Sequence, residues 1–225
     1  MKEKELINKF FIPFHGLSYP EHVLKGIGDD AAVVSVGGEL LAVSVDTMTE
    51  GVHFYPGIDP EDLGYRSIAT AISDMAAMSA TPRYITVSLS IESIEKRWIE
   101  KFIKGVKACI VQCDCYLVGG DTVKGALSIG VQVMGVCESQ PIYRSGAKEN
   151  DLVAVTGFLG AAKTALSFLG RRGDLSPDVK YVLQRYHRPS PRINLSRKLN
   201  KYMNSAIDIS DGLVSDIGHI ASQSK

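Results

Sequence analysis

LAVSVDTMTEGVHF, residues 41–54, runs from an alternating apolar segment straight into polar residues of the kind that hold ligands. Leu41, Val43 and Val45 alternate with Ala42 and Ser44 at the two-residue period of a half-buried strand, so Asp46 falls at the strand's end, where its side chain can enter a cleft. Gly51 then permits a tight turn and His53 follows. A single Asp after a strand is ordinarily a turn or cap residue. Here the arrangement recurs. Upstream, Gly26-Ile27-Gly28-Asp29-Asp30 precedes the apolar strand Ala31–Val36, and adjacent carboxylates repel unless something positive lies beside them. Gly37-Gly38 suits a two-residue hairpin between the two strands, which would bring Asp29 and Asp30 to the same end as Asp46. Downstream, Tyr116-Leu117-Val118 ends in a turn at Gly119-Gly120-Asp121-Thr122, and Ala206–Ile209 carries Asp208 into Ser210-Asp211-Gly212.

The chain has 225 residues, 45% of them hydrophobic, enough for a sizeable core. Acids and bases balance at 25 each, which argues against binding to nucleic acid or an anionic membrane through bulk charge. No apolar stretch reaches the length of a membrane span, and MKEKELINKFF lacks a signal peptide's apolar core, so the expected location is cytoplasmic. Cys109 and Cys113 fall on the apolar face of a helix, Cys115 opens a strand, and no CxxC pair exists; all read as free thiols, as does Cys137.

Residues 3–11 read as a short amphipathic helix, followed by an irregular loop with Pro13, Gly16 and Pro20. Asp59-Pro60 opens a helix carrying Ile68, Ala71, Ile72, Met75 and Ala76. Within it Asp74 is the anomaly: among small and apolar neighbours, a buried Asp needs a cation or several donors, and the metal role is preferred to a local hydrogen bond. Ile85–Ile91 alternates as a strand, Trp98–Ile110 as a helix whose stripe is core, and Leu127–Val133 as another strand. The polar stretch 138–150 marks a boundary between units 1–138 and 139–225, and Arg144 within it is either a phosphate contact or an exposed linker arginine. Beyond it come a strand at Leu152–Thr156, a glycine turn at Gly157–Gly160, helix starts at Ser176-Pro177 and Ser190-Pro191, and a final helix after Gly212. There Asp216 and His219 read as surface or N-terminal-half residues.

GIGDDAA, SVDTMTEGVHF, SDMAAMSATP, GGDT, YRSGA and DISDGL, in this order over residues 26–213, resemble the thiamine-monophosphate kinase family of the aminoimidazole ribonucleotide synthetase-like superfamily. The resemblance implies a two-domain α+β fold: an N-terminal ATP- and magnesium-binding domain that pairs with a second copy into a dimeric β-barrel, and a C-terminal domain left incomplete here. It implies that Asp30, Ser44, Asp46, Asp74, Asp121, Asp208 and Asp211 hold several magnesium ions. Gly120, Asp121, Arg144 and Ser210 would contact ATP, His53 would contact thiamine monophosphate, and Asp29 would be a supporting carboxylate. The implied reaction is transfer of the ATP γ-phosphoryl group to thiamine monophosphate in a homodimer. The alternatives are a magnesium-nucleotide-binding fragment without activity and another ATP-dependent synthetase of the superfamily.

Overall fold

A computed structural model describes residues 3–12, 19–171 and 173–225 of the chain; the expected loop positions Pro13 and Gly16 lie outside them. The helix α1, Glu3–Leu6, continues as π-helical turns through Phe11, but Leu6, Phe10 and Phe11 are exposed, so this amphipathic segment adds nothing to the core. Six strands follow: β1 Val23–Lys25, β2 Ala32–Val36, β3 Glu39–Thr49, β4 Thr81–Ile91, β5 Tyr116–Lys124 and β6 Ser128–Val136. They form one open sheet in the order β1-β2-β3-β6-β4-β5, antiparallel throughout except for β4 and β5. The Gly37-Gly38 hairpin forms as its sequence requires, with Val36 opposite Glu39 and both glycines at positive φ.

Two long helices cover one face of the sheet, α2 (Pro60–Ala77) and α3 (Lys96–Cys113). The Asp59 side chain accepts the Glu61 N–H at 2.8 Å and Pro60 occupies the first turn, so α2 starts where its cap chemistry dictates. Its buried stripe, including Ile68, Ala71, Ile72 and Met75, packs on Ile85 and Leu89 of β4 and Ile129, Val131 and Val133 of β6. The two helices cross at Gly64 and Gly105. A Cβ on Gly105 would lie 1.8 Å from the Glu61 carbonyl oxygen, so only glycine lets the backbones meet there. On α3, Phe102, Val106 and Cys109 are buried, Ile99 and Ile110 half-buried, and Ile103 exposed, a narrower stripe than its periodicity implies. Cys109, Cys115 and Cys137 are buried and Cys113 half-buried, all four as free thiols.

Two strand expectations need correction. In β3 it is Ala42, Ser44 and Met48 that are buried under α2, while Val45 is 64% exposed on the uncovered face. Ala42 and Ser44 are small enough to lie beneath a closely packed helix, and the apolar alternation marks the other surface. β5 does not end at a GGDT turn: it continues through Asp121 to Lys124, paired in parallel with β4 from Thr86–Gly119 to Ile91–Lys124. Gly120 permits that continuation, since a Cβ there would meet the Val87 carbonyl oxygen at 1.9 Å.

After Val136 the described residues contain helices and no strand: α4 Ala161–Ala165, α5 Pro177–His187, α6 Ile193–Leu199 and α7 Leu213–Gln223. The expected strands at Leu152–Thr156 and Ala206–Ile209 are irregular and join no ladder among the described residues, and Leu152 is 97% exposed. A strand pattern specifies backbone conformation, and a sheet also requires a partner. Ser176 caps α5 through its hydroxyl, as expected, whereas α6 begins at Ile193 with Arg192 at its cap position rather than at Ser190-Pro191. This region docks on α2: Arg188 reaches Asp62 Oδ1 at 2.7 Å and Glu61 Oε1 at 2.9 Å, the Arg66 guanidinium lies 4.2 Å from the centre of the Tyr186 ring, and Ser196 Oγ donates to the Ala76 carbonyl. Among the described residues no helix is long and apolar enough to cross a membrane.

Candidate functional site

The β2–β3 hairpin places Asp30, just ahead of β2, beside the part of β3 that carries Asp46, which lies not at the strand's end as expected but opposite Val131, three residues before Thr49. The last turn of α2 brings Asp74 to the same place, and the irregular segment before α7 brings Asp208. Oxygens of Asp30, Asp74 and Asp208 all lie within 4.8 Å of one another. The Asp30 side chain is only 1% exposed. Its Oδ1 accepts from Arg144 Nη2 at 2.6 Å and Nε at 3.2 Å, while Oδ2 is buried without a partner. Ser44 Oγ, on the same buried face of β3 as Asp46, is a second buried oxygen with no well-formed hydrogen bond.

The electrostatics are those of a site short of positive charge. Burial pushes Asp30 up to about 7, with Arg144 pulling it down and Asp208 and Asp29 adding to the rise. Asp74 is pushed up to about 8, first by burial and then by Asp46 and Asp208; nearby Ser44 offsets part of this. Asp46 and Asp208 are also raised, chiefly by burial, with His53 opposing the rise at Asp46 and Ser73 opposing it at Asp208. Carboxylates gathered this closely cannot all ionise unless a cation joins them. Hard oxygens, among them the buried and unpartnered Asp30 Oδ2, fit a divalent ion such as magnesium.

Other residues singled out in the sequence take different positions. Arg144 is no exposed linker arginine; it is half-buried against Asp30. His53 is exposed at the turn after β3, with Nδ1 accepting the Thr49 N–H at 2.9 Å, which assigns the ring proton to Nε2. Gly120 and Asp121 lie on the edge strand: the row Asp46–Val131–Val87–Gly120 puts three strand spacings, about 14 Å, between β3 and β5. Asp121 is exposed and accepts its neighbour Thr122's N–H. Ser210 and Asp211 are exposed just ahead of α7 and outside the three-carboxylate group. Asp216 is not a surface residue: it is buried and its Oδ2 accepts the Gly212 N–H at 3.1 Å. Lys25 went unnoticed in the sequence; its Nζ lies 2.9 Å from Asp29 Oδ2, and the available signal was a lysine four residues before a doubled Asp.

Residues 28–137 match the family model described as AIR synthase related protein, N-terminal domain. Fold and acidic cluster together therefore define an AIR synthase-related α+β protein with a carboxylate-lined site. Thiamine-monophosphate kinase from Buchnera aphidicola subsp. Schizaphis graminum (strain Sg) is 40% identical over 228 residues, covering 99% of this chain and 70% of the relative. The thiamine-monophosphate kinase of Escherichia coli (strain K12) is 41% identical over 203 residues, covering 88% of this chain and 62% of its own length. The chain belongs to the thiamine-monophosphate kinase family. Among solved structures, AaThiL complexed with AMPPCP and TMP superposes with a TM-score of 0.88 at 33% identity, over 100% of this chain and 72% of that one. The thiamine-monophosphate kinase of Stenotrophomonas maltophilia K279a superposes with a TM-score of 0.80 at 37% identity, with the same coverage.

Proposed function

We propose that this chain carries the phosphoryl-transfer site of a thiamine-monophosphate kinase, moving the ATP γ-phosphoryl group onto thiamine monophosphate to give thiamine diphosphate. The observation that carries this reading is the Asp30–Asp74–Asp208 cluster with its buried, unpartnered Asp30 Oδ2. Bound magnesium would supply the charge neutralisation that lets two polyanions approach. Asp30, Ser44, Asp46, Asp74 and Asp208 would hold it, with Asp211 added from the next turn. Arg144 binds ATP phosphate while remaining against Asp30, and Ser210 borders the same nucleotide. The acceptor phosphate is already ionised near neutral pH, so no strong general base is required. His53, its Nδ1 occupied by the Thr49 N–H, offers an Nε2–H to the substrate.

We place the boundary between an N-terminal unit, 1–138, and a second unit from 139 onward, and the protein in the cytoplasm. We also infer a homodimer in which the sheets of two copies close into a barrel. The uncovered sheet face carries Val45 and Tyr84, and the β5 edge adds exposed Tyr116, Leu117 and Val118, apolar side chains that pairing with a second copy would cover. In that pairing, the Gly120–Asp121 edge held three strands from Asp46 in its own chain becomes available to the site of the other copy. Val45→Glu is expected to give a monomer in sedimentation velocity; an unchanged dimer would place the interface elsewhere.

Chromatographic detection of thiamine diphosphate after incubation with magnesium-ATP and thiamine monophosphate tests the activity. Product is expected with magnesium and none without it. Bound nucleotide with no thiamine-dependent product would favour the non-catalytic binding reading instead.

A further inference from the structure

The two carboxylates of the Asp29-Asp30 pair point to different tasks. Asp30 keeps one oxygen, Oδ2, without a partner and is grouped with Asp74 and Asp208. Asp29, whose side chain is fully enclosed, spends both of its oxygens elsewhere. They share the Arg144 backbone N–H at 3.1 and 3.2 Å, Oδ1 also accepts the Asp30 N–H at 3.1 Å, and Oδ2 pairs with Lys25 Nζ at 2.9 Å. Lys25 is held in turn 5.2 Å from the centre of the Tyr143 ring. The backbone so anchored leads into the site by two routes. Through Arg144, the guanidinium reaches Asp30 Oδ1. Through Tyr143, whose carbonyl accepts the Ala206 N–H at 3.1 Å, it anchors the segment that presents Asp208 two residues later.

We infer that Asp29 is a positioning residue for magnesium-nucleotide binding: it pins the Tyr143–Arg144 backbone so that Arg144 and Asp208 converge on Asp30. This rests on the metal-nucleotide reading of the site. A carboxylate that accepts two backbone N–H groups and faces an ammonium makes the stronger, charge-assisted class of hydrogen bond, so it fixes a backbone well. Partners behind metal ligands characteristically change metal affinity or activity by about 10- to 100-fold when removed. Asp29→Asn keeps the shape and one acceptor oxygen, but it discards the charge facing Lys25 and one route to the Arg144 N–H.

The test is calorimetric titration of the full chain with magnesium-AMPPCP, comparing wild type, Asp29→Asn, Asp30→Asn and Arg144→Ala, together with the Asp29→Asn/Arg144→Ala double variant. Asp29→Asn is expected to weaken binding by about 10- to 100-fold, to raise KM for ATP more than it lowers kcat, and to leave KM for thiamine monophosphate unchanged. Its effect should shrink in the double variant, because part of it is carried by the Arg144 guanidinium, which Arg144→Ala removes while leaving the backbone N–H in place. Binding by Asp29→Asn equal to wild type overturns the inference, as does a folded Asp29→Asn that loses metal as completely as Asp30→Asn, which would make Asp29 a ligand. A wild-type chain that binds no magnesium-AMPPCP overturns the metal-nucleotide reading and this inference with it. If Asp29→Asn does not fold, hydrogen exchange on the wild type decides: the Arg144 amide should exchange as slowly as amides inside β3, and exchange at the rate of an exposed loop overturns the pin.

Discussion

Asp30→Asn is expected to abolish magnesium-dependent turnover while leaving the fold in place. The substitution keeps the side chain's size and an acceptor for Arg144, but it removes the carboxylate charge beside Asp74 and Asp208 and one of the two acceptor oxygens. A metal ion stabilises charge in a phosphoryl-transfer transition state by several kcal/mol. At about 1.4 kcal/mol per decade of rate, losing that contribution costs on the order of a thousandfold in kcat/KM. Steady-state kinetics with circular dichroism as the control for folding measures it. Turnover within severalfold of wild type would remove Asp30 from the metal site and with it the strongest support for the proposed chemistry.

Metal-free protein is expected to become less stable as pH rises from about 4 to about 8, and magnesium to restore more stability at pH 8 than at pH 5. In the folded chain Asp30 sits at about 7 and Asp74 at about 8, against an ordinary 3.8. Below 3.8 both states hold these protons and stability is unaffected. Above it the unfolded chain ionises while the folded chain keeps the protons, so stability falls until pH passes the folded values, where the loss is complete. Each pH unit in that window costs about 1.4 kcal/mol per group at most, and about 1 kcal/mol moves Tm by ~2–4 °C in a chain of this size. A magnesium-dependent rise in Tm of about 5 °C or more at pH 8, and a clearly smaller one at pH 5, follows for differential scanning calorimetry. An equal magnesium effect at both pH values would show that the carboxylates are not held protonated by their surroundings.

Features legible in the sequence share one property: the residues responsible are neighbours in the chain. The Gly37-Gly38 hairpin and the Asp59-Pro60 start of α2 form where turn and cap chemistry place them, and the stretch that carries Asp46 is a strand, though it runs on to Thr49. Asp74 was legible as an anomaly because an Asp inside an apolar helical stripe demands a partner, and the structure supplies Asp30 and Asp208 beside it. Arg144 was ambiguous, since its guanidinium has no partner in nearby sequence; Asp30 lies 114 residues away.

The sequence alone determined the helices α2 and α3, the hairpin that brings Asp30 toward Asp46, and the family, because backbone preference and motif order are properties of short stretches. Tertiary structure decided which face of β3 the helices cover, leaving Val45 exposed and Ser44 buried, and it carried β5 through Asp121 on a ladder with β4. It also left segments 152–156 and 206–209 without sheet partners and turned Asp29 from a supporting carboxylate into the anchor of a backbone 115 residues distant. These outcomes depend on contacts between residues far apart in the chain, whose formation is set by packing and charge in the folded state rather than by any local pattern.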